Sequence, residues 1–203
     1  MDTAFRSEER FTQEEFWDWL DTLPASSVGK YELIGGRIVV TPPAGWPHGT
    51  IEAALCHLIR DHVRARGLGR VFGPSTGYDF TLSAKRRDTL QLDCSFVSRE
   101  RWQAGPVPPV AGARGFLPIV PNLVVEVLSR STAKRDRGEK CRVYARAGVD
   151  EYWIVDPLRR EVTVHHRAGR WFDDGVVVAS GAIPSRVLPE LGLVLEALFA
   201  DLD

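Results

Sequence analysis

Leu123-Val124-Val125-Glu126-Val127-Leu128 is an apolar run interrupted by a single carboxylate. Pro121-Asn122 precedes it and Ser129-Arg130-Ser131 follows it. A run this short between such breakers reads as a central strand covered on both faces. Downstream, residues 132 to about 147 predict a helix stopped by Gly148. Tyr152 to Val155 is a second central strand, closed by Asp156-Pro157. Upstream, Leu90, Leu92, Cys94 and Phe96 alternate with Gln91, Asp93, Ser95 and Val97, which predicts one half-buried strand over 90–97. Strands near 70–72 and 77–82 precede it. Residues 103–121, rich in Pro, Gly and Ala, predict a long surface insertion.

Further out, Ile51, Leu55, Leu58, Ile59 and Val63 line one face of a helix from 50 to 66, ended by Gly67. Pro42 to Pro47 predict a rigid loop before it. Tyr31–Ile34, Gly35-Gly36 and Arg37–Val40 predict a hairpin with a two-residue turn. Thr12-Gln13-Glu14-Glu15 is a capping box, with Phe11 and Phe16 at staple spacing around it. After 158 the chain predicts a β-meander (161–166, 170–172, 175–179) and a strand-and-helix tail at 191–202. Strands and helices alternate through the middle, so the class is α/β with a mixed sheet flanked by helices and an added meander. The expected organisation is a single domain over 1–203: N-terminal helix and hairpin 11–40, core about 48–157, meander and tail 158–203.

The 203 residues are 44% hydrophobic and 26% charged, enough apolar material for a core without staples. The 26 basic and 27 acidic residues balance to a net charge of -1, which excludes a globally basic nucleic-acid coat but not a local basic site. Cys56, Cys94 and Cys141 are scattered and odd in number, against a disulfide framework or a structural zinc site. The charged N-terminus lacks a signal-peptide core, and no apolar run nears the ~18 residues of a membrane span. The expectation is a cytoplasmic protein with no membrane partner.

Charge is unevenly placed. Residues 130–146 hold seven bases (Arg130, Lys134, Arg135, Arg137, Lys140, Arg142, Arg146) against Asp136 and Glu139. With Arg60, Arg64 and Arg66 on the helix ending at 66, they are the best candidates for facing an anion such as a phosphate backbone. Against an arginine-dominated background the four lysines, Lys30, Lys85, Lys134 and Lys140, each carry some information.

Glu126 is the anomaly of the central strand, where an ionised carboxylate must be paired or bound to metal. Its plainer account is an ion pair with an arginine from a neighbouring helix. Asp93 is a second carboxylate, on a strand that otherwise presents small or apolar residues; alone it would pass for a surface group. Asp136, Lys140 and Tyr144 share a helix face at i, i+4 and i+8. Either Asp136 and Lys140 form a surface ion pair, or this face packs on the sheet and brings Lys140 to the strand of Glu126. Two carboxylates on adjacent strands with one lysine form a minimal kit for metal-assisted phosphodiester hydrolysis. His48, at a helix entrance, reads alone as a cap or packing residue, and Glu32 as a polar residue on a hairpin. His165 and His166 point to opposite faces of a strand and cannot share a metal. Trp17 and Trp153 sit in core-like patterns.

The series Tyr31-Glu32-Leu33-Ile34-Gly35-Gly36-Arg37, His48 after a proline loop, Leu92-Asp93, Pro121 to Thr132, then Asp136, Lys140, Tyr144, Gly148 and Glu151 to Pro157 resembles the Uma2 family of restriction-endonuclease-like proteins. The resemblance covers roughly residues 10–200 and places the chain in the PD-(D/E)xK nuclease superfamily. It implies a restriction-endonuclease-like fold and a Mg²⁺- or Mn²⁺-dependent endonuclease acting on DNA. Asp93 matches the motif aspartate, with Leu92 in place of the usual proline, and Glu126 the acidic residue of (D/E)xK; these two would hold the metal. The motif lysine is absent, since that position is Leu128, and Lys140 takes its part from the following helix. Asp136 lies on the same face as Lys140, Glu32 matches the additional acid found before the core motif, and His48 a family position. Relatives carry Pro-Asp where this chain has Pro121-Asn122, which would remove a negative charge beside the site. That change and Leu128 suit a rival class, a nucleic-acid-binding or regulatory protein that keeps the fold with weak or no turnover. Nucleases of this type often pair, because two strands need two sites, so a homodimer is also implied.

Overall fold

The computed structural model describes residues 5–83, 86–106 and 116–202. Lys85 and residues 107–115 of the expected insertion lie outside the described residues. In chain order the strands are β1 (Phe5–Arg6), β2 (Lys30–Ile34), β3 (Arg37–Thr41), β4 (Gly69–Phe72), β5 (Gly77–Ser83), β6 (Arg86–Gln91), β7 (Cys94–Ser98), β8 (Phe116–Leu117), β9 (Leu123–Val127), β10 (Glu151–Asp156), β11 (Glu161–Ala168), β12 (Trp171–Phe172) and β13 (Val176–Val178). The helices are α1 (Gln13–Asp21), α2 (Trp46–Arg66), α3 (Arg99–Ala104), α4 (Ala133–Arg135), α5 (Cys141–Ala147) and α6 (Leu195–Phe199). A π-turn, Asp136–Lys140, joins α4 to α5.

Two sheets form, where the sequence suggested one. The first runs β1-β3-β2-β6-β5-β8, the second β12-β11-β10-β9-β7-β4, with β13 against β11. β9 pairs with β10 in parallel, as β5 does with β8. The chain crosses from the first sheet to the second at Leu92-Asp93. The strand expected over 90–97 is therefore two strands with Asp93 in the break. Periodicity could not show this, because Leu92 joins one core cluster and Cys94 and Phe96 the other, and both clusters bury apolar side chains.

Local signals hold the elements. Thr12 Oγ1 accepts from Glu15 N–H at 3.2 Å while Glu15 Oε2 accepts from Thr12 N–H at 2.7 Å, closing the capping box of α1. Gly35 (φ 62) and Gly36 (φ 75) both sit in the left-handed region, as a tight turn of this hairpin requires. α2 starts at Trp46, inside the expected loop, because Gly45 caps it and Pro47 lies in the first turn, where its missing N–H costs nothing. Ile51, Leu55, Ile59 and Val63 are buried against Phe96, Val125 and Trp153 of the second sheet, each burial contributing roughly 1.5–3 kcal/mol.

All five residues of β9 are buried. Leu123, Val125 and Val127 face α2, while Val124 packs with Val143 and Tyr144 of α5. By alternation Glu126 faces the π-turn side. The helix expected as regular from 132 to 147 is thus interrupted by the wider turn, a feature frequent at functional sites. Of the expected tail strand at 191–202, only a bridge between Ala182 and Val194 forms before α6 and a closing 3-10 turn, Ala200–Leu202. Glu151, fully buried, pins the segment that leads to α6: its carboxylate accepts from Trp153 Nε1, Ser185 Oγ and Arg186 N–H, each at 2.7 Å. Among the described residues no helix is long and apolar enough to cross a membrane.

Candidate metal centre

A cleft of about 350 Å³ opens at the seam where the chain changes sheets. Its lining includes Lys30, Glu32, His48, Glu52, Asp93, Glu126, Arg135 and Lys140. Glu32 comes from β2, His48 and Glu52 from the first turns of α2, Asp93 from the break, Glu126 from β9 and Lys140 from the π-turn. Asp93 and Glu126 therefore meet in one cleft. β7 pairs with β9 at Cys94 opposite Val125, and Asp93 Oδ2 accepts from Val127 N–H at 2.7 Å.

Lys140 is the hub of the inner half. Its ammonium lies 2.9 Å from Glu32 Oε1, 3.0 Å from Glu126 Oε1 and 3.7 Å from Asp136 Oδ1. Tyr144 donates its hydroxyl to the same Glu126 oxygen. The Lys140 side chain is only 2% exposed, so the Asp136–Lys140 contact is buried rather than a surface pair. Glu126 is partnered by this lysine and tyrosine instead of an arginine. Leu128, at the motif lysine's position, is packed among apolar side chains.

Asp93 governs the outer half. Lys30 donates to Asp93 Oδ1, and His48 Nε2 lies 3.2 Å from Oδ2. His48 Nδ1 is 3.5 Å from Glu52 Oε2, and Lys30 Nζ is 3.7 Å from Glu52 Oε1. One ligand atom each from His48, Glu52 and Asp93 lies within 4.8 Å of the others, the spacing a metal ion needs.

Burial and charge set the protonation states. Burial alone would raise Asp93, but Lys30, then His48, hold its carboxyl well below the usual range. Burial disfavours the imidazolium of His48, yet hydrogen bonds to Asp93 and Glu52 lift its pKa to about 10. Burial pushes Glu126 up to about 8, with Lys140 opposing the rise. Five carboxyl groups (Glu32, Glu52, Asp93, Glu126, Asp136) share the cleft region with four cationic groups (Lys30, Arg135, Lys140 and protonated His48), a shortfall of one positive charge. After burial, the carboxylates of Asp93 and Asp136 add to the rise at Glu126. Glu32 Oε2 and Glu52 Oε1 are buried acceptors without a hydrogen-bond donor. Oxygen-rich, under-compensated and partly orphaned, the set fits a divalent cation.

The residues gathered here include every expected one. Those the sequence reasoning missed are Lys30 and Glu52. Both left a signal: Lys30 and Glu32 are i, i+2 on a strand and share its face, and His48 and Glu52 are i, i+4 on a helix. Asn122 is placed differently from its expected position beside the site. It sits before the opposite end of β9, where its side chain accepts from Ser98 N–H at 2.8 Å and donates to Asp150 at 2.9 Å. It borders a larger hollow of about 1170 Å³ around Arg99, Arg167 and Arg186, which lacks converging buried carboxylates of the kind found in the cleft. The arginines of α2 divide likewise. Arg66 borders that hollow, and Arg60 lies roughly 12 Å along the helix from Glu52. Only the 130–146 run borders the cleft, through Arg135 and Lys140.

The sequence matches a family model described as Uma2, "putative restriction endonuclease", over residues 14–196. The chain belongs to the Uma2 family. Its fold is that of a restriction-endonuclease-like protein. A crystal structure described as a "putative nuclease belonging to DUF820" from Anabaena variabilis superposes with a TM-score of 0.71 and 19% sequence identity, over 91% of this Uma2 chain and 97% of that one. No curated protein matches the sequence.

Proposed function

We propose that this Uma2 protein is a divalent-metal-dependent endonuclease that hydrolyses DNA phosphodiester bonds. The observation that carries the reading is the convergence of Asp93 and Glu126 in one under-compensated cleft, in a chain of a nuclease family. Asp93, Glu126 and Glu52 are the residues that would hold the metal, joined by His48 once its imidazolium has released a proton. Carboxylates suit Mg²⁺, and the imidazole makes Mn²⁺ at least as suitable. When bound, such an ion supplies Lewis acidity, acidifying a water and offsetting charge on the phosphate.

The chain's own residues do the rest. Val127 N–H and His48 hold the Asp93 carboxylate in one orientation. Lys140 and Tyr144 fix Glu126. Burial raises Glu126 in the metal-free cleft, so it would give up its proton on taking a cation. Recognition of a polyanion is supported by exposed Arg130 and Lys134, which flank cleft-lining Ser129, Thr132 and Arg135. Trp46, 69% exposed between cleft-lining Ala44 and His48, offers a face for a nucleobase.

Supercoiled plasmid incubated with Mg²⁺ or Mn²⁺ tests the reading. One cleft per chain predicts nicking, stopped by EDTA and by Glu126→Gln or Asp93→Asn. Cleavage surviving both substitutions, or none on plasmid, linear duplex or single strands with either metal, would overturn it. The second outcome favours the binding-protein reading, to which Leu128 and the closed-in Lys140 already lend an observation.

A further inference from the structure

Lys140 has the lysine role by family pattern, yet its ammonium is spent. Three carboxylates surround it and its side chain is 2% exposed. Lys30 is the contrasting case. Its side chain is 26% exposed, it lines the cleft, and its ammonium contacts Asp93 and approaches Glu52. These are two of the three residues whose ligand atoms cluster tightly enough for a metal, and the third, His48, touches the same Asp93. The ammonium of Lys30 thus stands where a cation would be held.

We propose that Lys30 is a resident counter-ion of the metal centre, displaced from Asp93 when a divalent cation binds, and that the released ammonium is a catalytic residue facing the scissile phosphate. The inference rests on the nuclease reading for its second half only. Asp93 Oδ2 is already taken by Val127 N–H and faced by His48, which leaves a divalent ion the Oδ1 that Lys30 holds, and like charges a few ångströms apart repel strongly in a partly buried cleft. One must leave, and the four-carbon stem of lysine lets its end swing without moving β2. The cleft is the direction open to it, since Lys30 already lines that space. Lys140 has no such freedom, and its part is to hold Glu32 and Glu126 in place.

The two roles predict effects of opposite sign. If Lys30 competes with the metal, Lys30→Met should tighten Mn²⁺ binding by roughly tenfold, the scale expected for removing a like charge from the site. The same variant should slow plasmid nicking at saturating metal. Lys30→Arg keeps the charge but grips Asp93 with a planar fork, so it should weaken Mn²⁺ binding and fail to restore nicking. Free Mn²⁺ is counted by electron paramagnetic resonance without DNA, on protein whose fold is checked by circular dichroism. If Lys30→Met does not fold, the Lys30→Arg affinity alone carries the test. Mn²⁺ affinity that is unchanged or weaker in Lys30→Met, or unchanged in Lys30→Arg, overturns the proposal. If wild-type protein binds Mn²⁺ and the variants shift as expected but nothing is cleaved, the nuclease reading fails while the counter-ion role stands. If wild type binds no Mn²⁺, both fall.

Discussion

Replacing Lys140 by methionine removes one positive charge from a pocket in which Glu32, Glu126 and Asp136 all lie within 3.7 Å of it. Methionine fills much of the same volume, so packing is nearly conserved and the electrostatic loss is isolated. The carboxyls left behind cannot stay ionised together without a cation, and at least one more must take up a proton. For an ordinary glutamate that costs about 1.4 kcal/mol per pH unit above its usual pKa, hence about 4 kcal/mol at pH 7 and about 1 kcal/mol at pH 5. The first value agrees with the roughly 3–5 kcal/mol seen when one partner of a buried ion pair is deleted. In a chain of this length each kcal/mol moves the melting temperature by about 2–4 °C. The expected fall is therefore roughly 8–16 °C at pH 7 and roughly 2–4 °C at pH 5. Differential scanning calorimetry of metal-free protein at both pH values measures it, beside Lys134→Ala as an exposed control on the same helix. A fall under about 3 °C at pH 7, or the same fall at both pH values, would refute the buried hub.

Two further outcomes follow from the same geometry. The pKa of His48 is raised from 6.5 to about 10, so its contribution is complete below pH 6.5 and lost as pH climbs toward 10. Melting of metal-free protein should show that decline, about 1.4 kcal/mol per pH unit at its steepest, and His48→Gln should flatten it; an unchanged slope would remove the His48–Asp93 contact from consideration. Asn122→Asp adds a carboxylate at a position away from the cleft, so plasmid nicking and Mn²⁺ affinity should match wild type. The melting temperature should fall, because the new carboxylate meets Asp150 where an amide now donates. A change in metal affinity would contradict the placement of Asn122.

What could be read in the sequence was local. The capping box at Thr12, the Gly35-Gly36 turn and the apolar run around Glu126 each depend on a few neighbouring residues, and each forms as read. Glu126 was legible because a charge inside an apolar pattern demands a partner, whereas Asp93, Lys140, Asp136 and Glu32 became candidates through strand and helix-face placement and the family resemblance. The partners themselves were not legible. That Lys30 reaches Asp93, 63 positions away, depends on where two sheets meet. The break at Leu92-Asp93 hides behind an alternation that both cores satisfy. The π-turn leaves no mark in composition, because one widened turn changes neither the apolar content nor the caps. Asn122 was misplaced by sequence adjacency: it is four steps of extended chain from Glu126, roughly 13 Å along the strand.

The cleft draws its charges from residue 30 to residue 140, and this sets an order of events during synthesis. Glu32 and Glu126 leave the ribosome before Lys140 does, and until that ammonium arrives neither can leave water as a carboxylate without the cost of an unpaired buried charge. A nascent chain ending short of the π-turn can form the hairpin and α2, but it must keep the seam between the sheets wet and open. Closing contacts between segments this distant also carries the entropy of a long loop, which slows the step. The seam is therefore among the last parts of the molecule to close. A fragment truncated before residue 136 should hold its acids in solvent, with no dry cleft for a metal to complete.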